Sequence, residues 1–362
     1  MRKASLSALL VLPGFLFAAC GGSSDDGGGG AKTVSIDELP AEVAKAQCAL
    51  YQKCFGDLFQ FFTNGEDCLK ISEERVKNAE IGQLAAAVAS GKVKYDGAMA
   101  AKCLEDIAAR SCAELANRLS DNCDAAAEGS AAVGEDCSYD LDCKGTAFCK
   151  LDGACPGKCT ERLAAGGACK QDDDCQDGLV CGDATQACVK PGAVGEPCGG
   201  GVQPECGPTL FCVGDDDAAK QAGTCKALTE VFAGKAGDTC AFQDGTLCAT
   251  DLSCVYDAPP PASGKCAARV GSGAACKRLA VPSMCPIGEY CDGAALDGTC
   301  KALPGPGQPC VKVLDSDHCA PYSRCDGGTC VALQKNGGPC GGSQVCYSES
   351  CVSGTCKVNA CQ

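Results

Sequence analysis

Cysteine is the residue through which this chain could do chemistry, since it carries 37 of them against a single His and no Trp. Thiolates at suitable spacing bind zinc, ligate iron–sulfur clusters, exchange disulfides or act as nucleophiles. Each of those uses leaves a spacing signature, and none is found. No C-x-x-C occurs anywhere, which argues against zinc ribbons and thioredoxin-type centres. His318, in D-S-D-H-C-A, would have to serve any Ser-His or Cys-His set, and a loop His beside Asp317 reads more simply as solvated. Asp172-Asp173-Asp174 and Asp215-Asp216-Asp217 gather carboxylates as a calcium loop does. They lack EF-hand spacing and read as turns that hydrogen-bond their own backbone. No catalytic residue, metal ligand or cofactor is assigned, and an enzyme is not expected.

The remaining use of cysteine is the cross-link. About a tenth of the residues are Cys and 47 are Gly, the composition of a disulfide scaffold that stands in for a large apolar core. Such use belongs to an oxidising compartment. The net charge of −15 favours solubility and disfavours nucleic acid, whose phosphates it would repel.

The pattern is most complete in Gly273–Cys300, G-A-A-C-K-R-L-A-V-P-S-M-C-P-I-G-E-Y-C-D-G-A-A-L-D-G-T-C, with Cys276, Cys285, Cys291 and Cys300. The frame is G-x-x-C, five to eight residues, Cys, five residues, Cys, a variable loop, then G-x-C, and it recurs seven times over 130–362. Its opening cysteines are Cys137, Cys169, Cys198, Cys240, Cys276, Cys310 and Cys340, a loose period of 29 to 42 residues. Each has a Gly three residues earlier, from Gly134 to Gly337, which predicts a positive φ or a close backbone approach. A second Gly stands two before the fourth Cys in six copies; the second copy has Gln186 there. The first copy is read as Cys137, Cys143, Cys149 and Cys155, the second as Cys169, Cys175, Cys181 and Cys188. Four cysteines allow three pairings and the sequence does not choose. First-to-third with second-to-fourth, which interlocks two short loops, is the favoured arrangement. Cys159 and Cys361 then fall outside the frame; they pair locally within the end copies or leave a thiol for a partner, and local pairing is expected.

Residues 33–129 have a different composition, rich in Ala, Leu, Lys and Glu, and predict a small helical bundle. Ser35 with Glu38 forms a capping-box pattern ahead of Leu39, Val43, Leu50 and Leu58 at helical spacing, with Asn64-Gly65 as its stop. Further helices are expected over 72–90, after Asp96, and after the Ser111/Glu114 pair. Its six cysteines, Cys48, Cys54, Cys68, Cys103, Cys112 and Cys123, suffice for three bridges. Cys48 and Cys54 lie on one helix and should each reach another. Phe55, Phe59, Phe61 and Phe62 read as core, not as a ligand groove. The expected fold is therefore a small all-α, disulfide-pinned bundle followed by a disulfide-rich repeat array of short β-hairpins with little other regular structure.

Residues 1–19 carry Arg2 and Lys3, then an apolar run from Leu6 to Ala19, as a secretion signal does. The run ends in Phe17-Ala18-Ala19-Cys20, which resembles the lipobox of bacterial lipoproteins, with Phe17 where Leu is commoner. The resemblance implies lipidation of Cys20, membrane attachment through that lipid, and, with Gly21 following, outer-membrane sorting. Removing Cys20 leaves an even 36 cysteines. Residues 20–32, with G-G-S-S-D-D-G-G-G-G from Gly21 to Gly30, would be the tether. C-K-Q-D-D-D-C-Q-D-G-L-V-C, Cys169–Cys181, looks like the N-terminal cysteine module of Dickkopf proteins, and C-S-Y-D-L-D-C-K-G-T-A-F-C follows it too. The whole plan resembles the cysteine-rich repeat lipoproteins of myxobacteria, a group with no common activity to carry over. Together these imply a surface-exposed outer-membrane lipoprotein, acting as a rigid stalk or binding module for an unknown protein or glycan partner. A protease inhibitor or toxin-like ligand with disulfide-braced loops is the alternative.

Overall fold

In the computed structural model the described residues are 32–362, apart from 57–58, 60–65, 116–120, 152–154, 242–244, 259–262, 294–295, 314–315, 360 and 362. The signal, Cys20 and residues 20–31 of the tether lie outside them, as do Leu58, Phe61, Phe62, Asn64 and Gly65. Helices occupy the N-terminal stretch and small antiparallel sheets the remainder.

Ser35 and Glu38 make the reciprocal box, Ser35 N–H donating to the Glu38 carboxylate at 3.0 Å and Glu38 N–H to Ser35 Oγ at 3.3 Å. Helix α1, Leu39–Phe55, follows, and it ends at Gly56, whose φ is +51°. The stop thus comes at Gly56, earlier than Asn64-Gly65. Helix α2 is Cys68–Asn78, started by Asp67, which accepts from Lys70 N–H at 2.8 Å. A single helix over 72–90 does not form: Ser72 is buried inside α2, a 3-10 turn at Glu80–Gln83 intervenes, and α3 is only Leu84–Ala89. Gly82 explains part of the break, since a Cβ there would stand 1.9 Å from the Lys77 carbonyl oxygen. Asp96 caps α4, Gly97–Ala109, by accepting from Ala98 and Met99 N–H. Ser111 and Glu114 close their box around a 3-10 turn, Cys112–Glu114, and α5 is Asp121–Ala126. A two-stranded sheet unforeseen in the sequence, β1 (Val93–Tyr95) with β2 (Ala127–Gly129), ties the helices together.

Leu39, Val43, Val76, Leu84, Leu104 and Ile107 form the centre of one apolar core. Phe55 packs against this core, and Phe59 is buried. Three bridges pin the helices: Cys48–Cys68 joins α1 to α2, Cys54–Cys112 joins α1 to the second 3-10 turn, and Cys103–Cys123 joins α4 to α5. The geometric reason is plain, since Cys48 and Cys54 are 9 Å apart along an ideal helix axis at about 1.5 Å per residue, too far for one bridge.

By contacts between residues the chain divides into two units that do not follow the boundary at residue 130. Of the described residues, one holds 32–56, 67–179 and 333–362, so the first and last modules belong with the helices. Within it, Lys335 pairs with Glu74 at 2.7 Å, and the Asn336 side chain donates to the Asn78 carbonyl at 2.9 Å. The other holds Phe59, Glu66 and the described residues of 180–332. In it the Glu66 carboxylate is buried against the sixth module, accepting from Tyr322 N–H at 2.9 Å and from Arg324 at 2.8 Å.

Candidate functional site: the cysteine frame and its loops

The fifth module displays the frame. Strand Glu289–Asp292 pairs antiparallel with Asp297–Ala302, which also pairs with Ala275–Lys277. Cys276 bonds Cys291 and Cys285 bonds Cys300. The same first-to-third, second-to-fourth arrangement holds in modules one and three to seven. The two bridges cross so closely that three sulfurs of a module lie within 4.8 Å of one another. That looks like a metal triad, but every cysteine from Cys48 to Cys361 is disulfide-bonded, so those sulfurs offer no thiolate.

Two glycine rules hold the frame, for different reasons. The Gly three before the opening Cys has φ between +71° and +90° in all seven copies, with open space where a Cβ would be. Backbone conformation is what selects it. The turn it makes lets its N–H donate to the fourth Cys carbonyl at 2.8 Å in modules one, three, four, six and seven, while that Cys donates back to the residue after the Gly. The Gly two before the fourth Cys is selected by crowding in the longer-looped copies. A Cβ on Gly298 would meet the Asp292 carbonyl oxygen at 2.3 Å and Cys291 Sγ at 3.0 Å, and Gly223 and Gly264 are crowded alike. In the short loops of modules six and seven Gly328 and Gly354 instead take φ of +83° and +77°. Gln186, the exception, adopts φ +46° in a loop of the same kind.

Module one corrects the reading of its fourth cysteine. Cys143 bonds Cys159, not Cys155. Two G-x-C triplets stand there, Gly153–Cys155 and Gly157–Cys159, and strand Gly157–Thr160 puts Cys159 opposite Cys149 as the frame requires. Gly157 shows the diagnostic crowding, 2.7 Å from Lys150 O and 3.1 Å from Cys149 Sγ. Cys155 bonds Cys361 across 206 residues. Local pairing within the end copies is therefore replaced by a bridge from the first module to the chain's penultimate residue.

The acidic runs resolve into turn chemistry. Asp174, 2 % exposed, accepts from Lys170 N–H at 2.7 Å and Gln171 N–H at 3.3 Å. Asp142 takes the same place in module one, accepting from Ser138 N–H at 2.7 Å with Lys92 at 3.4 Å. The Asp before the second Cys is thus a structural residue in D-L-D-C and D-D-D-C, and their shared pattern is its trace in the sequence. Asp216 accepts from Ala218 and Ala219 N–H, and partial desolvation, with Asp217 and Asp216 nearby, pushes the Asp215 carboxyl up. His318 is part-buried on strand Ser316–His318, where desolvation lowers its pKa against the opposing pull of Asp317.

Comparison with protein-family models, curated proteins and solved structures found no match. Among the described residues no helix is long and apolar enough to cross a membrane.

Among the described residues Glu80 is the one carboxyl carried far from its usual range, pushed up to about 8. Burial is the first cause and Asp140 the second; hydrogen bonds from Asp140 and Leu141 N–H oppose them. A shifted carboxyl in a cleft would be a candidate acid or base. Glu80 instead sits at the seam of the helical core and module one, accepting from Asp140 N–H at 3.1 Å. Its effect is on stability. Between its unfolded value near 4.5 and about 8 the unfolded chain releases this proton and the folded chain retains it. Stability therefore falls as pH rises through that window, by up to about 1.4 kcal/mol per unit. Thermal melts of Glu80→Gln should show a flatter pH profile from 4.5 to 8 than the parent chain; parallel profiles would refute the assignment.

What varies over the constant frame is the third-to-fourth loop. In module three it leaves Val213 and returns at Gly223, with Asp215–Gln221 exposed. In module six it is the turn between Asp326 and Thr329. The residue before the third Cys varies too: Phe148 lies beneath the Arg162 guanidinium at 5.1 Å, Ser253 donates to the Ser283 carbonyl at 3.3 Å, and Arg324 grips Glu66.

Proposed function

We propose that the chain is an outer-membrane lipoprotein, attached through Cys20 and presenting the module loops at the cell surface to a protein or glycan partner. The observation that carries the binding role is the contrast between a fixed frame and free loops. Gly φ values and bridge pairing repeat from module to module, whereas loops such as Asp215–Gln221 differ in length, charge and exposure. Loops braced by two disulfides lose little conformational entropy on binding, which is what a recognition surface needs. The Phe17–Cys20 motif and the even cysteine count without Cys20 support the anchor. The plan resembles the cysteine-rich repeat lipoproteins of myxobacteria, and the Cys169–Cys181 frame that of Dickkopf modules.

Two measurements test the reading separately. Cys20→Ser should shift the protein from the membrane fraction to the soluble fraction and abolish incorporation of labelled palmitate; retention with label would refute the anchor. For the loops, the anchor-free protein, kept oxidised, is cross-linked to intact cells and applied to a glycan array. Capture that is lost on exchanging Asp215–Gln221 for the short module-six turn supports presentation by loops. Capture indifferent to every loop exchange refutes it.

A further inference from the structure

The Cys155–Cys361 bridge differs from every other bridge of the array in its surroundings. The module bridges come in crossing pairs, with sulfurs within 4.8 Å of a neighbouring bridge, between paired strands and largely buried. Cys155 and Cys361 belong to no strand, and among the described residues no second bridge crosses theirs as in the modules. Among the described residues Cys155 is the one exposed cysteine residue, and Cys361 is half-buried. Thiol–disulfide exchange requires a thiolate to reach a sulfur along the S–S axis, so access decides which bond of many is cut first.

The tail that carries Cys361 leaves module seven at Lys357, whose N–H donates to the Ser350 carbonyl at 3.1 Å. Asn359 donates to the Ser138 carbonyl at 2.6 Å, and Cys361 N–H donates back to Asn359 Oδ1 at 2.8 Å. The body of module seven is attached independently, through Lys335–Glu74, Asn336 to Asn78, and Arg75–Glu349 at 3.1 Å. Opening the bridge thus frees a short tail and leaves the module in place.

We propose that the Cys155–Cys361 bridge is a thiol-exchange site, opened by a dithiol reductant while the module bridges stay closed. One thiolate of the dithiol attacks Cys155 Sγ and expels the Cys361 thiolate, leaving a mixed disulfide. The second thiolate attacks the reductant's own sulfur in that bond, releasing the Cys155 thiolate and an oxidised cyclic disulfide. Two electrons pass from the dithiol to the protein, and the protons of its two thiols end on Cys155 and Cys361. The result is a pair of neighbouring thiols, Cys155 in module one and Cys361 beyond module seven, able to re-form the bond or to take up another disulfide. Neither the lipid anchor nor the loop partner enters this argument.

The test uses the full oxidised chain. Free thiols are first blocked, dithiothreitol is titrated at neutral pH, and new thiols are trapped with N-ethylmaleimide and located by peptide mass spectrometry. Cys155 and Cys361 should be trapped together at reductant concentrations at least tenfold below those that expose any module cysteine. Hydrogen exchange on that partly reduced species should rise in 357–361 and stay unchanged in α2. Module cysteines trapped at the same or lower reductant would overturn the proposal, as would loss of protection throughout 333–356. The double variant Cys155→Ser/Cys361→Ser should lack the low-reductant trapping phase; a phase that persists would also overturn it. Should that variant fail to fold, the titration of the parent chain decides alone.

Discussion

Replacing Cys285 and Cys300 by serine is expected to unfold the fifth module while the helical core stays intact. The apolar cluster of that module consists of Cys276, Ala280, Met284, Cys285, Cys291 and Cys300, so cysteines are most of what is buried there. The bridge spans 15 residues, and loop closure of that size contributes about 3 kcal/mol. Two serine hydroxyls in place of buried sulfurs add about 1–3 kcal/mol each if unpaired. A module with so little other core has no reserve against a loss on that scale. The damage should spread one module back and stop, because Ala280–Val281 forms the outer strand of the module-four sheet against Cys254 and Val255. Hydrogen exchange should show lost protection in 273–302 and weakened protection in 252–255, with 97–109 unaffected. Protection retained in 273–302 would show that one bridge suffices.

Glu66→Ala should cost about 3–5 kcal/mol, the scale for removing one partner of a buried ion pair. The Glu66 side chain is 3 % exposed and that of Arg324 28 %, so the stranded guanidinium recovers part of its hydration and the lower end of the range is expected. Tyr322 N–H loses its acceptor as well, at a residue already held at φ +60°. Glu66→Gln should fall between parent and Ala, since it keeps an acceptor for Tyr322 but loses the charge. Denaturant unfolding of the three proteins orders them; equal midpoints for Ala and parent would mean the pair contributes nothing net. Double substitution with Arg324→Met should recover part of the loss, because it removes the unpaired charge.

Local rules were readable from the chain because they depend on neighbours in sequence. Ser35/Glu38, Asp96 and Ser111/Glu114 cap as expected, since a cap needs only a side chain within three residues of an unpaired N–H. The seven glycines at positive φ are legible for the same reason, a turn being a local object. Even the break between α2 and α3 has a local trace in Gly82, though helix periodicity alone runs straight through it.

Disulfide-rich hairpins after a bundle and the spacing of the frame follow from sequence by itself. The choice between Cys155 and Cys159 did not, because two G-x-C triplets satisfy one pattern and only strand pairing opposite Cys149 separates them. Nor did the partner of Cys361, nor that of Glu66, which lies 258 residues from Arg324. Sequence spacing determines what a segment can close upon itself. Which distant segments meet is decided by how surfaces fit, and that is where tertiary structure placed the Cys155–Cys361 bridge.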